Sequence, residues 1–244
     1  MIFAPLKLAD PDRYLAAQKS PAQTRKMLMV LYGFNLEIAR APWASAEAMI
    51  AEMRLQWWLD AVADIFEGRP LRGHELLAPL AEVIKQRSLP RGIIEQMITA
   101  RRFDIYHDAH VDDAAFVDYI NATSTGLIDL AARVLQASEA ERLTACKTGF
   151  AIGLANLLRA TPRLIARKRT PLPQNISGHI DTALAGLDHH FSKAVFPAVL
   201  PGWRARATLQ SAQKHPDRIA TGLLEESPAW RRYSFAKSRV RRRL

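Results

Sequence analysis

Apolar side chains recur along this chain at intervals of three and four residues, the spacing that gathers them on one face of an α-helix. Met27, Leu31, Phe34 and Ile38 form one such stripe. Ser20-Pro21-Ala22-Gln23 precedes it and predicts a helix start, with Ser20 as cap, Pro21 in the first turn and Gln23 closing a capping box. Pro42 lacks an amide hydrogen and ends or kinks that helix. Met49, Met53, Trp57 and Ala61 predict a second helix from about Ser45 to Gly68, where glycine suits a left-handed cap. A shorter helix from His74 to Gln86 is broken by Ser88-Leu89-Pro90, and another runs from Arg91 to His107. Asp112 or Asp113 caps a helix that reaches Leu135. Ser138-Glu139-Ala140-Glu141 is a second capping box, opening an apolar helix through Cys146, Phe150, Leu154 and Leu157 that stops near Pro162. Arg163 to Gly178 reads as a basic, proline-bearing loop, followed by shorter helices from about Ile180, Trp203 and Asp217. No alternating β-branched run or hairpin signal interrupts the pattern. The expected fold class is all-α: a single-domain helical bundle over residues 1–230, followed by a basic C-terminal tail, 231–244.

Charge sharpens that division. The net charge is +10, yet Arg231, Arg232, Lys237, Arg239, Arg241, Arg242 and Arg243 account for +7 of it with no acid among them. The remainder is nearly neutral, so no nucleic-acid-binding body is expected, and the tail reads as a detachable electrostatic arm. With Trp230, Tyr233 and Phe235 interleaved, it suits an anionic membrane surface; a disordered solubilising tail is the plainer alternative. The one cysteine, Cys146, excludes an internal disulfide and points to a reducing compartment. Met1 to Lys7 lacks the apolar run of a secretory signal, and no stretch reaches the roughly 18 apolar residues of a membrane span.

Two stretches carry more specific information: Tyr32-Gly33-Phe34-Asn35-Leu36-Glu37-Ile38-Ala39-Arg40-Ala41-Pro42-Trp43, and Asn156-Leu157-Leu158-Arg159-Ala160-Thr161-Pro162-Arg163-Leu164. They resemble the two active-site helices of the squalene/phytoene synthase family. Arg54-Leu55-Gln56-Trp57-Trp58, Phe116-Val117-Asp118-Tyr119 and the basic loop through Arg167-Lys168-Arg169-Thr170-Pro171-Leu172-Pro173 are similar to further segments of it, in the same order. The resemblance implies an isoprenoid-synthase fold with a central cavity. Active members join two prenyl diphosphates head to head, using magnesium held by an Asp-x-x-x-Asp motif in each stretch; the metal neutralises the departing diphosphate. Here those positions carry Ala39 and Trp43, and Ala160 and Leu164, so all four carboxylates are missing and no catalytic residue is assigned.

Arg40 and Arg163 put positive charge beside these positions, and arginines can grip a diphosphate without metal. Phe34 to Arg40 and Arg54 to Trp58 resemble a degenerate branch, which includes a mitochondrial assembly factor for respiratory complex I and its bacterial relatives, better than they resemble true phytoene synthases. The resemblance thus implies an accessory or assembly factor with no cofactor, cytoplasmic or peripheral on the inner face of the membrane. Its partners would be a respiratory-complex subunit or the anionic membrane, and an isoprenoid or lipid ligand. Candidate cavity residues are Tyr32, Phe34, Asn35, Arg40, Arg54, Trp57, Tyr119, Asn156 and Arg159, with Met49 and Met53 beside them. Two alternatives stand: an active prenyltransferase holding magnesium on displaced acids such as Asp60, Asp64 or Glu37, and a non-catalytic isoprenoid- or lipid-binding protein. Asp104, His107, Asp108, His110, Asp112 and Asp113 offer ligand types for a transition metal, although acids at a helix end also serve as caps. Thr123-Ser124-Thr125 replaces the family's small apolar run beside Tyr119, and Gly126 sits one place late.

Overall fold

In the computed structural model, which describes residues 3–106, 109–169, 171–224 and 226–244, the first apolar stripe becomes a deeply buried helix. Helix α3 (Ala22–Arg40) places Leu28, Leu31, Phe34 and Ile38 wholly out of solvent. Each such side chain contributes roughly 1.5–3 kcal/mol by leaving water. α1 (Ala4–Ala9) and α2 (Pro11–Gln18) pack against it. A 3-10 turn at Ala41–Trp43, imposed by Pro42, leads to α4 (Ala48–Phe66). Gly68 follows with φ 67°, the left-handed conformation its missing Cβ permits.

α5 (Leu77–Arg87) and α6 (Arg91–Ala100) come next, then α7 (Asp113–Ile120), a π-helical turn at Asn121–Thr125, and α8 (Gly126–Val134). α9 (Glu139–Lys147) opens with the complete capping box of Ser138 and Glu141. α10 (Gly149–Ala166) crosses the molecule and packs on the π turn, on α11 (Ile176–Ala185), on α13 (Ala205–Lys214) and on α14 (Asp217–Thr221). The short α12 (Phe196–Val199) precedes α13, and α15 (Pro228–Arg241) ends the chain. The described residues contain no strand, and no helix among them is long and apolar enough to cross a membrane.

Several local expectations fail for tertiary reasons. Ser20 does not cap α3: its hydroxyl donates to the Ala16 carbonyl at the end of α2, and Pro21 occupies the cap position in extended backbone. Pro162 does not stop α10, which continues to Ala166 because its last turns pack against α14. The expected loop from Arg163 is correspondingly shorter, and Thr170 within it lies outside the described residues. The helix from Arg91 gives way at Arg101 to a 3-10 turn ending at Asp104, and His107 and Asp108 are outside the described residues.

The tail is not a detached arm. Ser227 caps α15 by accepting from the Trp230 amide, Phe235 packs edge-on against Trp203 with centroids 5.6 Å apart, and Leu244 is buried. The backbone joins in: the Phe191 amide donates to the Arg242 carbonyl at 3.2 Å, and Arg206 Nε donates to the Leu244 carbonyl at 3.0 Å. Residue 231 therefore lies inside a helix docked on the bundle.

Candidate functional site

The site is built where α2, α3, the π turn and α10 face one another. α3 contributes Asn35 and Ala39 from successive turns, and the following 3-10 turn adds Trp43. α10 contributes Asn156, Arg159, Ala160, Arg163 and Leu164, again one helical turn apart. Together with Tyr119 at the end of α7, these residues line one cavity of about 680 Å³. All four degenerate motif positions, Ala39, Trp43, Ala160 and Leu164, thus face the same space.

What surrounds that space is mainly cationic. Arg13, Arg101, Arg159, Arg163, Arg204 and Arg231 line it, against Asp10, Asp12 and Asp104. Asp12 is the hub: its Oδ2 lies 3.5 Å from Arg204 Nη1 and 3.9 Å from Arg159 Nη2, and its Oδ1 lies 3.5 Å from Arg231 Nη2. Arg159 is steered further by Asn156 Oδ1 at 2.7 Å. Asp10 caps α2 through the Arg13 amide and pairs with the Arg13 guanidinium. At the opposite wall the Tyr119 hydroxyl donates to Asp104 Oδ1 at 2.7 Å, and Arg101 Nη1 lies 3.5 Å from Oδ2. Burial pushes the Asp104 carboxyl above the usual range, with Arg101 and Tyr119 opposing the shift. Burial likewise pushes the Tyr119 phenol up. Arg169 ties the basic loop to this wall by donating to the Asp104 and Ile105 carbonyls at 2.7 and 2.9 Å. The guanidiniums of Arg167 and Arg169 stand 4.9 and 5.2 Å from the Trp43 ring centre.

Magnesium does not fit this donor set. The four motif positions offer no oxygen, and each aspartate in the lining already accepts from arginine, leaving no paired carboxylates for a hard cation. The displaced candidates do not repair this. Asp64 accepts from Arg69 Nε at 2.6 Å and Arg72 Nε at 2.7 Å, and these two cations hold its carboxyl below the ordinary range. Asp60 accepts from Gln56 at 2.7 Å and lies 3.4 Å from Arg72, and neither aspartate lines the cavity. Glu37 pairs with Arg40 at 3.8 Å. Of the described members of the acidic and imidazole cluster, Asp112 caps α7 through the Ala115 amide, Asp113 lies 3.4 Å from His179, and His110 stacks on Phe103 in the corner that Asp104 also lines. Among the described residues no three His, Cys, Asp or Glu side chains form a metal-binding group.

The other sequence candidates scatter. Tyr32 and Phe34 are core residues of α3, Tyr32 with its hydroxyl buried and unpartnered. Arg40 and Arg54 point to solvent, and Trp57 packs against Trp58 and His74. Met49 and Met53 are 75% and 66% exposed on the outer face of α4. Of the tail cations, Arg231 alone reaches the cavity lining, while Arg232, Lys237, Arg239, Arg241 and Arg243 are exposed and Arg242 is half-buried. Cys146 is half-buried 3.8 Å from Asp129, and burial raises its thiol to about 11, which makes it a poor nucleophile. Sequence reading named Asp104 only as a possible transition-metal ligand and missed Asp10, Asp12, Arg13, Arg101 and Arg204. Nothing in the sequence distinguished Arg204 from any other arginine.

The chain resembles proteins of two kinds. It is 28% identical over 173 residues to the Bos taurus protein "NADH dehydrogenase (ubiquinone) complex I, assembly factor 6", covering 70% of this chain and 51% of that one. The Homo sapiens counterpart is 27% identical over the same length, and the Drosophila melanogaster homolog 29% over 172 residues. The chain spans about half the length of the curated relatives it matches. Its fold is shared with a dehydrosqualene synthase solved with a ligand, at a TM-score of 0.69 and 12% identity, covering 98% of this chain and 94% of that one. A squalene synthase, HpnC from Alicyclobacillus acidocaldarius, gives a TM-score of 0.62 at 14% identity, covering 98% and 88%. The family model for squalene/phytoene synthase matches residues 6–232, from α1 into the first turn of α15, and the chain belongs to that family.

Proposed function

We propose that this chain is a catalytically degenerate member of its family that acts as an accessory or assembly factor for respiratory complex I at the inner face of the membrane. Its cavity holds an isoprenoid or lipid ligand without turning it over, and it uses no metal cofactor. The observation that carries this reading is the replacement of both carboxylate pairs around a cavity that persists. Ala39, Trp43, Ala160 and Leu164 still face one space of about 680 Å³, now rimmed by arginines. Magnesium-assisted departure of a diphosphate needs an oxygen-rich pair of sites. Guanidiniums instead suit a bound anion that stays intact. Similarity to assembly factor 6 proteins points the same way.

The test is deletion of the gene followed by two assays: squalene or carotenoid content, and assembled NADH:quinone oxidoreductase. Loss of the assembled complex with unchanged isoprenoids, restored by the intact gene, is the expected result. Loss of the isoprenoid, or magnesium-dependent consumption of farnesyl or geranylgeranyl diphosphate by the purified protein, overturns it.

A further inference from the structure

The last helix presents two faces of different character. From Ser227 to Leu244 the chain contains no acid. At about 3.6 residues per turn, Arg231, Ser234, Phe235 and Ser238 share the arc of α15 that faces the bundle, and all are buried or half-buried. The opposite arc is exposed. Its middle is apolar, with Trp230 at 52%, Tyr233 at 54% and Val240 at 84% of full exposure. Arg232 and Arg239 flank that stripe on one side and Arg241 on the other, with Lys237 between Tyr233 and Trp230. The Trp230 and Tyr233 rings lie 5.1 Å apart, and Lys237 Nζ stands 6.0 Å over Tyr233.

An apolar, aromatic stripe bordered by cations on both sides matches the layering of a lipid surface, where rings settle at headgroup depth and cations meet phosphates. Water exposure of three large side chains in one line gains nothing for an isolated bundle. We propose that this outward face of α15 docks on the surface of an anionic phospholipid bilayer, with Trp230, Tyr233 and Val240 at the headgroup boundary. The proposal rests on the membrane-surface reading above and names the element responsible. Docking leaves the helix in place, because Phe235 and Leu244 already hold its other face to the body. It also brings the cavity to the bilayer, since Arg231 on the inner arc is part of the cavity wall and contacts Asp12.

The experiment is cosedimentation of the full chain with vesicles of phosphatidylcholine alone or mixed with phosphatidylglycerol. Binding is expected for the anionic vesicles and is expected to weaken as salt rises. The triple variant Lys237→Glu, Arg239→Glu, Arg241→Glu should bind on the order of a hundredfold more weakly. Trp230→Ser with Tyr233→Ser, which leaves the charge unchanged, should lose about tenfold. Circular dichroism and elution volume monitor folding, and all five positions are exposed. Undiminished binding by either variant, equal binding to neutral vesicles, or preference for an oligonucleotide over anionic vesicles overturns the proposal. Failure of the vesicle assay with complex assembly still lost in the deletion strain removes this docking face alone; isoprenoid loss in that strain removes the earlier reading alone.

Discussion

Asp12 shows how a few side chains set the character of the site. One buried carboxylate stands among the guanidiniums of Arg159, Arg204 and Arg231, drawn from three separate helical regions. Removing one member of a buried ion network strands the charge that remains. Asp12→Asn should therefore lower stability by about 3 kcal/mol in urea unfolding, and a change below about 0.5 kcal/mol would show that the cluster is held by other contacts. His110 offers a second reading at this scale. Its ring stacks on Phe103 with centroids 3.9 Å apart and approaches Tyr119 and Phe116, with Asp104 lining the same corner. Burial lowers its pKa from 6.5. The folded protein thus binds this proton less readily than the unfolded chain does. The contribution is whole above the unfolded value and is lost as pH falls through the lower, folded value. His110→Phe preserves the stack, so the drop in urea midpoint between about pH 7 and pH 5 should be smaller than in the parent chain. An unchanged drop assigns the acid sensitivity to other groups.

At the scale of elements, the meeting of α10 with the π turn decides the shape of the cavity wall. The Ser124 hydroxyl donates to the Gly149 carbonyl at 2.9 Å, a contact that needs the two backbones to approach closely. A Cβ on Gly153 would sit 2.6 Å from Ile120 and 2.7 Å from Ser124, closer than side chains tolerate. Gly153→Val should cost about 2–3 kcal/mol by overpacking, visible as a lower thermal midpoint; an unchanged midpoint would mean that α10 shifts freely. The π turn also explains the displaced Gly126. Each π turn takes up one residue more than an α turn, so the insertion is absorbed and α8 resumes with Leu127, Leu130, Ala131 and Val134 buried. Periodicity foretold the helices but not this widening, because a single extra residue leaves the apolar spacing on either side intact. The capping box at Ser138 was legible since all its partners lie within four residues. Pro162 misled because local backbone preference yields to packing on a later helix.

Across the whole molecule, the all-α fold and the convergence of Ala39, Trp43, Ala160 and Leu164 were readable from two short segments and their resemblance. The cationic rim was not. Asp12 and Arg204 stand 192 positions apart, and no local spacing links them. Arg40 and Arg54 were misplaced for the opposite reason: each sits one residue from an inward-facing neighbour, Ala39 or Leu55, and a step of one on a helix turns a side chain well away. The tail illustrates how composition alone can mislead. Seven cations in fourteen residues suggested a loose arm, yet Phe235, Ser238 and Leu244 recur often enough to seat a helix. The charge then becomes a surface with a fixed orientation relative to the cavity.

Trp43 carries an implication for the lineage of such chains. Were a mutation to put an aspartate back at this position, the new carboxylate would meet Arg167 and Arg169, whose guanidiniums now rest against the indole. It would be neutralised by them before any divalent ion could claim it. Building a divalent-ion site at this position therefore demands concerted change on at least two segments, the turn that carries Trp43 and the stretch that carries Arg167 and Arg169.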